Sequence, residues 1–124
     1  MTTYPTAAEV VFIHKTLIER FGGSHGIRDV GGLESALARP QTGYYRDRIE
    51  EAAALWESLS QNHPFIDGNK RVAVTVTAAF LKVNGYRLEF DDLTAFAFLI
   101  DLYETERMRF NELDAWLREN VTPR

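Results

Sequence analysis

A chain of 124 residues with 45% hydrophobic side chains is sized for one domain around one core, without metal or disulfide support. Zero cysteines exclude a disulfide scaffold and a thiolate zinc site, and the three histidines are widely spaced. A net charge of −4 argues against a surface that coats nucleic acid or an anionic membrane, and the apolar runs stop short of a membrane span, so a soluble, cytoplasmic protein is expected.

Thr6-Ala7-Ala8-Glu9 has the form of a capping box and opens a helix predicted over 7–21, with Val10, Ile13, His14, Leu17, Ile18 and Phe21 as its buried stripe. Five glycines between Gly22 and Gly32 predict an irregular loop. A short helix over 33–39 follows and stops at Pro40. Gln41, Thr42, Gly43, Tyr44 and Tyr45 have no helical period and suit a turn or short hairpin. Ile49, Ala52, Ala53, Leu55, Trp56 and Leu59 then give a helix over about 48–61.

The run 69–83 is the most ambiguous. Val72, Val74, Thr75 and Val76 are β-branched, and the three valines alternate as in a strand. The length of the run and the Asn84-Gly85 stop favour a central buried helix instead. Residues 86–90 look extended. Asp91 or Asp92 can cap a further helix carrying Leu93, Phe96, Ala97, Leu99, Ile100 and Tyr103, and a last helix holds Leu113, Trp116 and Leu117. The expected fold is all-α, a single domain of about six helices. Trp56, Phe80, Phe96, Phe98 and Trp116 are its expected core aromatics.

Chemistry concentrates in one place. His63, Asp67, Asn69, Lys70 and Arg71 fall within nine residues between two helices. His63 precedes a proline, which disfavours helical geometry and sets the imidazole where the preceding helix breaks. Gly68 precedes the first amides of the next helix, which lack intrahelical partners and favour an anion. Lys70 and Arg71 oppose that dipole, a placement that makes sense with phosphate as the resident charge. Asp67 is the Mg²⁺ candidate, since that ion takes one or two carboxylates plus phosphate oxygens. His63 is the candidate general base at neutral pH. Phe65 has no chemical task and is expected to pin the loop from the core. His14 is read as a packed residue, and His25 has no role.

The run His63-Pro64-Phe65-Ile66-Asp67-Gly68-Asn69-Lys70-Arg71 resembles the signature of the Fic/Doc superfamily, and Lys70 resembles its death-on-curing branch. Fic AMP-transferases mostly have Gly at the place of Lys70 and a second Arg where this chain has Val74. The resemblance extends to the glycine loop and the Leu33-Glu34-Ser35-Ala36-Leu37 helix. It implies the helical Fic/Doc fold and transfer of the ATP γ-phosphate to a threonine hydroxyl of elongation factor Tu, blocking translation, with neutralisation by a Phd-like antitoxin. By the same implication His63 is the base, Asp67 the Mg²⁺ ligand, Asn69 a phosphate or loop-ordering contact, and Lys70 and Arg71 phosphate contacts. Gly68 and Asn69 with both cations then form the ATP site, and residues 41–45 a flap that docks the target chain. Gly68 matches the wider Fic pattern where the best-known sequence of the branch has Ala, and Gln61 stands where that sequence carries Arg. AMP transfer and a non-catalytic anion- or peptide-binding module stand as alternatives. Direct contact with nucleic acid or membrane is not expected.

Overall fold

The computed structural model describes residues 1–89, 98–99 and 101–124. The expected cap and first turns over 90–97, Phe96 among them, and Ile100 lie outside those residues.

Helix α1 (Ala7–Phe21) starts at the expected capping box, with both reciprocal bonds between Thr6 and Glu9 made. It buries Val10, His14 and Ile18. Phe21, expected in that stripe, is 56% exposed, because the helix ends there and its ring lies outside the core beneath Arg71.

Helix α2 (Val30–Ala38) begins three residues earlier than the sequence suggested. The carboxylate of Asp29 accepts the Gly32 amide and caps it, so Gly31 and Gly32 fall in the first turn. A Cβ on Gly32 would come within 2.8 Å of Asp29 Oδ2, so the close cap itself requires glycine there. A 3-10 turn (Arg39–Gln41) carries Pro40 and is followed by bends through Gly43, with no strand pairing described for this segment.

Helix α3 (Arg48–Asn62) is capped by Asp47 and is the most enclosed element. Its alanines and Leu55, Trp56 and Leu59 are fully buried among α2, α4 and the C-terminal helix. Helix α4 (Asn69–Val83) is the expected central helix, packed against α1, α3 and the strand that follows it. It buries Val72, Ala73, Val76, Thr77, Phe80 and Leu81 on one face and exposes Lys70, Arg71 and Lys82 on the other. Its β-branched run is accommodated because Thr75 and Thr77 return their hydroxyls to the carbonyls of Arg71 and Ala73. Gly85, with φ 93°, supports the predicted stop.

Strand β1 (Tyr86–Leu88) pairs antiparallel with β2 (Val121–Pro123), Arg87 opposite Thr122. Between them residues 98–99 and 101–104 are helical, and α5 (Phe110–Asn120) buries Leu113, Trp116 and Leu117 as expected. The core aromatics Trp56, Phe65 and Phe80 are at most 2% exposed. Trp116 meets Trp56 edge-on and stacks on Phe98. Among the described residues no helix is long and apolar enough to cross a membrane.

Candidate functional site

Where α3 ends, His63 adopts a left-handed backbone, φ 46° and ψ 58°. That conformation is unfavourable for a residue with a Cβ, and the following proline makes helical geometry harder still. Such strain costs on the order of 1–3 kcal/mol and persists only where the surroundings impose it. Here the surroundings are the loop between α1 and α2. Arg28 and Asp29 donate their amides to the Pro64 carbonyl at 2.8 and 3.0 Å, and Ile66 donates to the Gly26 carbonyl at 3.1 Å. Ile27 and Phe65 form an isolated antiparallel bridge between these segments. The glycine loop is thus the wall on which the 63–71 segment is built.

From the other side the segment is pinned by its own residues. Phe65 is 1% exposed, and the Asn69 side chain closes a two-bond ring on it, accepting its N–H and donating to its carbonyl, both at 2.9 Å. Asn69 is therefore the first helical residue and Gly68 the cap, in a left-handed conformation with φ 78°. His14 lies beneath, 3% exposed, its ring stacked on Phe65 at 3.9 Å between centroids and 6° between planes. Its Nε2 is 2.8 Å from the Asp67 carbonyl. A carbonyl only accepts, so Nε2 carries the proton.

Asp67 turns its exposed carboxylate back on the loop. Oδ1 accepts the Gly68 amide at 2.9 Å and Oδ2 the Ser24 amide at 3.1 Å. Each oxygen keeps a further lone pair, as a cation ligand requires. Gly23 lies so close that a Cβ there would fall 2.8 Å from Oδ2.

No side chain among the described residues caps the first turn of α4, so the positive end of its dipole is open to solvent. Lys70 Nζ rests 4.4 Å over the Tyr103 ring, and the Arg71 guanidinium 4.4 Å over Phe21. Neither cation is in an ion pair among the described residues. Burial raises the Tyr103 hydroxyl pKa above its usual value, against the pull of Ser60 and Trp56, so the shelf under Lys70 is neutral.

His63, Asp67, Gly68, Asn69, Lys70 and Arg71 all line one cleft of about 650 Å³, with His14 on its floor and Val74 on its wall. Its size suits a nucleotide-like ligand. The segment Gln41, Thr42, Gly43, Tyr44 and Tyr45 does not line it. That segment precedes the N-terminus of α3, whereas His63 ends it, and 15 helical residues separate them by roughly 22 Å. Its two tyrosines part company. Tyr44 is 83% exposed, whereas Tyr45 accepts a 2.7 Å bond from Arg39 Nε, whose guanidinium also pairs with Glu57 at 2.7 Å.

His14 and Arg28 have no site role in the sequence reading. His14 bonds the Asp67 carbonyl and the Arg28 side chain the Asn62 and His63 carbonyls, and a carbonyl carries no residue-type signal. The glycine pattern was a usable hint, because five glycines in one loop mark close backbone approach.

Residues 4–81 match the sequence model of the Fic/DOC family. The chain is 45% identical over 76 residues to Toxin Doc of Mycolicibacterium smegmatis, a match over 57% of this chain and 58% of that protein. It is 32% identical over 94 residues to Protein kinase doc of Escherichia phage P1, over 69% of this chain and 75% of that one. The chain thus spans less than two thirds of the first of these relatives and three quarters of the second.

Proposed function

The chain belongs to the Fic/DOC family, and from that membership we propose that it is the toxin of a toxin–antitoxin pair and a protein kinase. In this reading it moves the ATP γ-phosphate to a threonine hydroxyl of elongation factor Tu and so blocks translation in the cytoplasm. The observation that carries the proposal is the convergence of His63, Asp67, Lys70 and Arg71 on one cleft at the open first turn of α4.

Within that cleft the roles divide by element. The α4 amides after Gly68 receive phosphate oxygens, with no Cβ at Gly68 to hold them off. Lys70 and Arg71 leave aromatic shelves, which hold them near the cleft without neutralising them, to offset charge on the transferring group. Asp67, aimed by the Ser24 and Gly68 amides, is the residue that would hold Mg²⁺, which when bound neutralises phosphate charge. His63 accepts the threonine proton as its oxygen bonds to the γ-phosphorus, and the bond to the β-phosphate oxygen breaks to release ADP.

Val74 supports γ-phosphate transfer over AMP transfer. It lies on the cleft wall at the place where the AMP-transferases of the resemblance carry a second Arg, so the cleft has no cation there for a differently oriented nucleotide. The deciding experiment incubates the purified protein with elongation factor Tu and ATP labelled at the γ or the α position. Label from γ alone supports the kinase, and label from α alone refutes it in favour of nucleotidyl transfer. No transfer from either, with ATP bound and growth arrest intact in His63→Ala, would leave a non-catalytic anion- or peptide-binding module. The same proposal gives the protein a Phd-like antitoxin that relieves growth arrest on co-expression, and makes residues 41–45 a target-docking surface through exposed Tyr44.

A further inference from the structure

We propose that Arg28 is the positioning residue of His63. This role rests on the phosphotransfer reading above and follows from the way α3 ends. A helix leaves its last carbonyls without partners, and the usual remedy is a left-handed Gly followed by amides that fold back on the last turn. This chain has His63 in the left-handed position and Pro64 after it, and proline has no N–H to return. The missing donors come from another element. Arg28 Nη2 donates to the Asn62 carbonyl and Nε to the His63 carbonyl, both at 2.7 Å.

The guanidinium is rigid and planar, so bonding two successive carbonyls fixes the orientation of the peptide planes on both sides of the His63 Cα. Those planes set φ and ψ, and they set the direction in which the imidazole leaves the chain. The cation also sits at the negative end of the α3 dipole. Arg28 touches the base only through its backbone and is absent from the lining of the cleft. Its side chain is 53% exposed, so truncating it opens no core cavity. The backbone bond from Arg28 to Pro64 survives any side-chain change, so besides the His63 geometry the truncation removes only the exposed 3.9 Å pair with Asp29.

Arg28→Ala is compared with the parent by NMR and by transfer of labelled γ-phosphate. The backbone ¹³C shifts and the HN–Hα coupling of His63 are expected to leave left-handed values. Glu106, also at positive φ (56°), serves as the internal control and is expected not to move. Turnover falls about 10²-fold, the usual consequence of a misplaced catalytic group, while the ATP KM stays within about twofold because the phosphate cradle belongs to α4. An unchanged His63 signature overturns the proposal. So does a rise in KM that matches the fall in kcat, which would make Arg28 a nucleotide contact. If Arg28→Ala does not fold, Arg28→Lys is read in the same way, since it keeps the charge and replaces the two-carbonyl fork with one ammonium. A parent protein that transfers no phosphate refutes the kinase reading alone, and the His63 spectrum still decides this one.

Discussion

Replacing His14 by Ala tests whether the floor of the cleft holds the 63–71 segment in place. The substitution deletes the bond from Nε2 to the Asp67 carbonyl, 2.8 Å long, and leaves that part-buried acceptor unpaired, which costs about 1–3 kcal/mol. It also removes a ring stacked on Phe65 at 3.9 Å, a contact of about 0.5–1.5 kcal/mol. Together these give roughly 2–4 kcal/mol. For a small domain whose stability falls by about 1–3 kcal/mol per molar urea, the unfolding midpoint moves down by on the order of 1–2 M. Buried Trp56 and Trp116 supply the fluorescence signal. His14→Gln keeps an N–H donor and loses mainly the ring, so it should recover about half of the loss. A midpoint shift in His14→Ala below about 0.3 M, or a Gln variant as unstable as the Ala variant, would refute the reasoning.

Gly23→Ala places a Cβ 2.8 Å from Asp67 Oδ2 at φ 117°, so it should raise the Mg²⁺ concentration needed for half-maximal transfer and cost about 1–2 kcal/mol, read by metal titration of activity and by urea unfolding. Asp67→Asn retains one acceptor for the Ser24 and Gly68 amides but loses the charge. It should raise the Mg²⁺ concentration needed for half-maximal transfer at least tenfold, on the order of the loss of one carboxylate ligand, and an unchanged requirement removes Asp67 from the metal site. Burial pushes the Asp47 carboxyl up, but the two-point Arg118 guanidinium and the Glu50 amide outweigh it and hold the group below its usual value. A depressed carboxylate contributes stability at neutral pH that is lost as pH falls below about 4. Asp47→Asn keeps the cap on α3, so its Tm should lie below the parent's at pH 7 and converge with it in acid; parallel Tm curves would count against the pairing.

The fold was legible wherever a local rule and a burial pattern agreed. Thr6 and Glu9 fixed the start of α1, and Asn84-Gly85 the end of α4. Periodicity located α3 and α5 because the large apolar residues of each recur at helical spacing and pack against neighbours. The all-round burial of α3 is less legible, since alanines carry little weight in a hydrophobic pattern yet allow close approach. Strand β2 also escaped notice, because three residues pair only when Val121–Pro123 meets a partner 33 or more positions away. Gly31 and Gly32 looked like loop because their helix depends on a single side chain, the Asp29 cap.

For the candidate site, the linear order of His63, Asp67, Gly68, Asn69, Lys70 and Arg71 already implied that they share one cleft, because a loop entering a helix brings near neighbours in sequence to one helix end. What holds that loop was decided only in three dimensions. Arg28 reaches His63 across 35 positions, and His14 reaches Asp67 across 53, each through a carbonyl that every residue possesses. Side-chain types disclose which groups do chemistry, whereas the backbone geometry that aims them is set by whichever distant donors the packed fold brings within hydrogen-bond reach.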